Sequence, residues 1–145
     1  MSRKSDFAGA FSILASKIPW HHHGRTPEGI DCAGLIFQVY RDADHCIDHL
    51  DFPYTEGEAK CSWFIWKAMD RLTDEFRDVT QAVICGVGKD GDILALRNHG
   101  TAEPHLGILC GDLVYEMRAR LHKTSLKFCS TRIYRAYRLK ELSNG

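Results

Sequence analysis

Several things are missing from this 145-residue sequence, and each absence removes a class of function. Neither sign of charge is in excess. Nineteen lysines and arginines balance nineteen aspartates and glutamates, so no net field draws the chain to nucleic acid or to an anionic membrane. No uninterrupted apolar run approaches the roughly 20 residues that a membrane span needs, so membrane insertion is not expected. The six cysteines, Cys32, Cys46, Cys61, Cys85, Cys110 and Cys129, form no CxxC pair and no tight cluster. That spacing suits neither a zinc ribbon nor a disulfide scaffold, and it reads as mostly buried thiols made in a reducing compartment. No repeat, low-complexity tract or compositional shift marks a linker. At 44% hydrophobic, the chain is sized for a single domain over 1–145 that buries its own core. A clear export signal is missing too: Asp6 precedes only the short, interrupted run "FAGAFSILA", which reads as a helix.

What is present is periodicity that changes along the chain. Phe7, Ala10, Phe11, Leu14, Ala15 and Ile18 recur at helical spacing and predict a first helix ending at Pro19. A loop from Trp20 to Ile30 follows. Asp31 is a good N-cap for a second helix whose apolar face is Leu35, Ile36, Val39, Tyr40 and Ala43. Thr55 and Glu58 have the form of a capping box ahead of a third stripe, Cys61, Phe64, Ile65, Ala68, Met69 and Leu72. After about Phe76 the pattern shortens. "QAVICGV", "GDILALR", "HLGILC", "LVYEMR" and "TRIYRAYRL" read as strands. Helices first and an antiparallel sheet second predict an α+β fold.

The chemistry centres on Cys32. A cysteine in the first turn of a helix has its thiolate favoured by unpaired backbone N–H groups and by the positive end of the helix dipole. A thiol nucleophile also needs a base. His105, at the start of a predicted strand, is the candidate.

At these residues the sequence resembles a family. "PWHHHGRTPEGIDCAGLIFQVYRD", then "GDILALR", then "PHLGILCGDLVYEM" are similar, in that order, to the NlpC-like cysteine peptidases of bacterial cell walls, above all to their phage-tail branch. The resemblance implies a papain-like fold and hydrolysis of amide bonds in the peptide stems of peptidoglycan. It makes Cys32 the nucleophile and His105 the general base, with no cofactor. It further implies that Trp20, His22, His23 and Asp31 border the substrate and the oxyanion. Phage tail proteins are expected partners, with the enzyme made in the cytoplasm and acting on the wall from a virion or gene-transfer particle. The rival is a tail-assembly or structural component that keeps the fold without turnover.

Two residue-level expectations remain. If Gly111 and Asp112 form a two-residue hairpin turn, Cys110 faces Leu113 and Gly107 faces Glu116. Side chains alternate along a strand, so His105 and Glu116 share a sheet face and Tyr115 takes the other. Glu116 is therefore favoured over Tyr115 as the group that orients His105. The triplet His21, His22 and His23 invites a metal reading. In an extended loop at most two of them can share an ion, the nearest further ligands are Asp31 and Cys32, and a zinc there would consume the nucleophile. No metal is expected.

Overall fold

The apolar periods of the first half become helices in a computed structural model that describes residues 7–14, 18–26, 28–97 and 104–140. They are α1 (Phe7–Ile13), α2 (Cys32–Asp42), α3 (Glu56–Ala59) and α4 (Ser62–Leu72). Helix α1 is shorter than expected, and Ala15, assigned to the same stripe, lies outside the described residues. The capping box forms, with Thr55 and Glu58 bonding reciprocally, but the helix it opens soon stops. Both the N–H and the thiol of Cys61 donate to the Glu58 carbonyl, at 3.3 and 3.1 Å, which engages the acceptor that a continuing helix would use. Cys61 then turns extended and starts α4.

Within the expected loop, β1 (Arg25–Thr26) and β2 (Gly29–Ile30) make a small antiparallel ribbon. The main sheet comprises β3 (Phe76–Asp78), β4 (Ile93–Arg97), β5 (Pro104–Cys110), β6 (Leu113–Met117), β7 (Leu121–Ser125) and β8 (Ile133–Leu139). All its pairings are antiparallel, in the order β3-β8-β4-β5-β6-β7. Two short helices, α5 (Thr80–Ile84) and α6 (Leu126–Cys129), interrupt the strands. Helix α5 corrects the strand expected at "QAVICGV". The Asp78 carboxylate accepts the Thr80 N–H at 2.8 Å and turns the chain directly after β3, and an apolar run this short does not distinguish strand from helix by period.

The hairpin of β5 and β6 has the expected register: Cys110 pairs with Leu113 and Gly107 with Glu116, with Gly111 at φ 63° in the turn. Both faces of the sheet are covered. On one, the helices α1, α2 and α4 pack on Ile93, Ala95, Leu106, Ile108 and Met117. On the other, Leu94, Leu96, Leu109, Val114 and Ala136 pack with Val83, Leu126 and Cys129. Double coverage is why β4 reads "ILALR", apolar at successive positions instead of alternate ones.

Candidate active site

Asp31 builds the start of α2. Its carboxylate accepts the Gly34 N–H at 2.8 Å, the His23 N–H at 2.9 Å, Arg25 Nη1 at 2.8 Å and the Tyr54 hydroxyl. Arg25 continues the network through Nε and Nη2 to Asp51, at 2.8 and 3.0 Å, and through Nη2 to the Tyr54 hydroxyl at 2.8 Å. Gly34 is required by contact: a Cβ there would lie 2.1 Å from the Gly24 carbonyl oxygen, because the loop backbone lies directly on the first turn of α2.

The histidine triplet fastens that loop. His22 Nε2 lies 3.0 Å from the Tyr54 carbonyl and His23 Nε2 lies 3.1 Å from the Phe52 carbonyl, so each ring nitrogen donates to backbone. His22, His23 and Asp31 therefore brace this loop against the start of α2 and the segment around Tyr54. Among the described residues, no group of three histidine, cysteine, aspartate or glutamate side chains is placed to hold a metal ion. Trp20 is exposed, its ring 6.4 Å from that of His22.

Cys32 is the first residue of α2 and packs on the helix-side core. Burial, and then the Asp31 carboxylate, push its thiol up to about 12, against the backbone N–H groups of Leu106 and Ala33 and the Arg25 charge, which favour the thiolate. Burial and the Asp31 anion therefore act against the activation expected from the helix terminus. Desolvation penalises the thiolate, and the residue that caps the helix is itself an anion.

His105 and Glu116 lie together, as the register requires. His105 Nε2 is 3.4 Å from Glu116 Oε1, but it is out of line for a hydrogen bond. Glu116 is fully buried and receives Arg132 end-on, with Nη1 3.1 Å from Oε2 and Nη2 3.0 Å from Oε1. Arg132 Nε also donates to the Arg97 carbonyl at 2.6 Å. Burial alone would raise the Glu116 carboxyl; the Arg132 hydrogen bonds, with the charges of His105, Arg132 and Arg118, reverse this and hold it below its ordinary value. Burial lowers His105 to about 4 in spite of Glu116, with Arg118, Arg132 and His122 adding to the effect. The imidazole is neutral near pH 7. Tyr115 takes the opposite face, its ring 4.1 Å from Phe11.

The structure thus brings His105 to Glu116 but not to Cys32. Leu106 packs in the core beneath α2, and its backbone meets the Cys32 thiol. His105, the preceding residue, pairs with Leu96 and shares its face, which belongs to the second core. Alternation along β5 therefore turns the imidazole away from the thiol. The roles of Arg132, Arg25 and Tyr54 are not legible in the sequence pattern. An indirect signal for Arg132 exists, since a carboxylate assigned to a covered sheet face needs a cation beside it.

Neither a family model nor a curated protein matches this sequence. A solved structure does. The crystal structure of the NlpC/p60 domain of peptidoglycan hydrolase SagA aligns with a TM-score of 0.50 at 18% identity, over 96% of this chain and 100% of that one. At that identity the likeness establishes the fold: the chain has the α+β architecture of an NlpC/p60 domain, helices packed on an antiparallel sheet.

Proposed function

We propose that the chain is a cysteine peptidase that hydrolyses amide bonds in the peptide stems of bacterial peptidoglycan, carried by a phage tail or gene-transfer particle. The observation that supports this most is the position of Cys32: it opens α2 at a braced terminus, in an NlpC/p60-type fold that spans nearly the whole chain. In the proposed reaction the Cys32 sulfur attacks the amide carbon while His105 takes the thiol proton. His105 then returns that proton to the leaving amine, and water hydrolyses the acyl-enzyme. The Cys32 backbone N–H donates to the oxyanion. This sequence of steps requires His105 to cross to the α2 face, which a one-residue change in the alternation at the start of β5 accomplishes.

One observation favours a second reading, a tail-assembly or structural component without turnover. It is the engagement of His105 with the Glu116–Arg132 pair on the far face. Digestion of purified peptidoglycan, with fragments identified by mass spectrometry, separates the two. The peptidase releases cleaved stems, and Cys32→Ala and His105→Ala each lower the rate by roughly a thousandfold or more. No fragments from any wall type, together with no labelling of Cys32 by a cysteine-reactive substrate analogue, establishes the second reading.

A further inference from the structure

Helix α4 buries Phe64, Ile65, Ala68, Met69 and Leu72 and turns two tryptophans to solvent, Trp63 at 44% and Trp66 at 54% exposure. Three residues apart on a helix, their Cβ atoms are about 5–6 Å apart, on neighbouring parts of one surface. The Trp66 ring stands edge-on to Tyr134, with centroids 5.8 Å apart. Tyr134 is there because of a bulge: Ala95 pairs with Arg135 and Leu96 with Ile133, so Tyr134 is an extra residue in β8. Two guanidinium groups lie against its ring, Arg97 at 5.0 Å and Arg135 at 5.4 Å from the centroid. Asp78 lies 3.9 Å from Arg135, and Arg97 is exposed.

This surface adjoins the candidate site. Arg97 shares a sheet face with Ala95, which pairs with Leu106, the residue whose backbone meets the Cys32 thiol. Two residues along a strand are about 7 Å. From the other side, the Trp63 ring contacts Phe52 at 6.5 Å, and Phe52 contacts Tyr54 at 5.4 Å, the residue that bonds Asp31.

We infer that Trp63, Trp66, Tyr134 and Arg97 form a platform for the glycan strand of peptidoglycan, an inference that rests on the peptidoglycan reading above. Flat, exposed aromatic rings suit the apolar C–H faces of N-acetylated sugars, and they contribute large contact area with little conformational freedom to lose. The guanidinium of Arg97 suits the carboxylates that the stem peptides carry beside those sugars. An aliphatic partner would have no use for the two arginines stacked on Tyr134, and a nucleic acid would meet no general excess of positive charge.

The test uses the full chain with Cys32→Ala, so that cleavage does not release it, sedimented with purified sacculi. Trp66→Ala lowers retention about tenfold or more, Trp66→Phe restores part of it, and Arg97→Ala has a smaller effect. A soluble N-acetylglucosamine oligomer displaces the protein, and a sugar-free stem peptide, which reaches only Arg97 and the Cys32 site, displaces it less. Full retention by the Trp63→Ala/Trp66→Ala double variant overturns the platform, as does equal displacement by the sugar-free peptide. Cleavage of soluble stem peptide by protein with intact Cys32 keeps the two ideas apart. If the platform is wrong, that cleavage persists in the wild type while retention ignores the tryptophans. If the peptidase reading is wrong, no chain cleaves while tryptophan-dependent retention remains.

Discussion

Two buried carboxylates, one on each side of the sheet, are held by arginine in different ways. Asp31 draws on several donors, near and far in sequence: two backbone N–H groups, the Tyr54 hydroxyl, and an Arg25 that it shares with Asp51. Glu116 depends chiefly on Arg132, which arrives from a different strand connection and binds both carboxylate oxygens, with Arg118 Nη2 a more distant second donor to Oε1 at 3.5 Å. The first arrangement shapes a helix terminus and, as a side effect, adds to burial in raising the adjacent thiol's pKa. The second neutralises a charge in the core and leaves His105 close but out of line. Several donors make a redundant cap; chief reliance on one arginine makes a cluster that weakens sharply when either member is lost.

The largest difference between the two clusters is expected at Glu116. Glu116→Ala leaves the Arg132 guanidinium buried without its anion, and the expected loss is about 3–5 kcal/mol in urea unfolding. Glu116→Gln keeps the shape and falls between, and Tyr115→Phe, which touches neither cluster, stays within about 0.5 kcal/mol. Replacing both partners, as in Glu116→Met with Arg132→Leu, should recover most of the loss, because an apolar pair of similar volume removes the buried charge altogether. A fully stable Glu116→Ala protein would mean that Arg132 finds an equivalent partner and that the contrast with Asp31 is mistaken.

The sequence was informative about this cluster up to a definite point. The turn at "GD" and strict alternation placed His105 and Glu116 on one face and Tyr115 on the other, and the pairing of Gly107 with Glu116 bears that out. Alternation gives relative sidedness only. Which of the two faces receives α2 is legible when one face is polar, and here Leu94 and Leu96 are as apolar as Ile93 and Ala95 because both faces are covered. The expectation that His105 meets Cys32 lacked that information. The capping box at Thr55 and the Asp31 cap were legible because both are local, set by residues three apart. Arg25, Tyr54 and Arg132 were not, since their partners lie 6 to 29 residues away and depend on the tertiary fold.

A smaller effect separates the two sites by pH. His105 titrates at about 4 in the folded chain against an ordinary 6.5. Between those values the unfolded chain takes up a proton that the folded chain refuses, so stability falls as the pH drops through 6.5 and levels off below about 4. Glu116, held below its ordinary value, acts in the same direction at the acid end. The ceiling for His105 is on the order of 3 kcal/mol. Urea midpoints compared at about pH 7 and about pH 4.5 should show the loss in the wild type, and His105→Gln should flatten it. An unchanged slope would place the acid-sensitive group elsewhere.

The smallest change sharpens the role of Asp31. Asp31→Ala removes the side-chain cap of α2, an expected cost of about 1–2 kcal/mol, because Arg25 keeps Asp51 and the Tyr54 hydroxyl. Asp31→Asn retains an oxygen for the Gly34 N–H while removing the charge, so it costs less still and isolates electrostatics from capping. That carboxylate is the second cause, after burial, of the raised thiol pKa at Cys32. With Asn in its place the Cys32 pKa should fall, and native-state alkylation of Cys32 by iodoacetamide, followed by peptide mass spectrometry, should speed up at fixed pH. The exposed Cys46 and Cys85 serve as internal references that the substitution does not touch. An alkylation rate unchanged by Asp31→Asn would show that burial alone holds the thiol protonated, and that the helix cap and the nucleophile, although adjacent in sequence, are electrostatically independent.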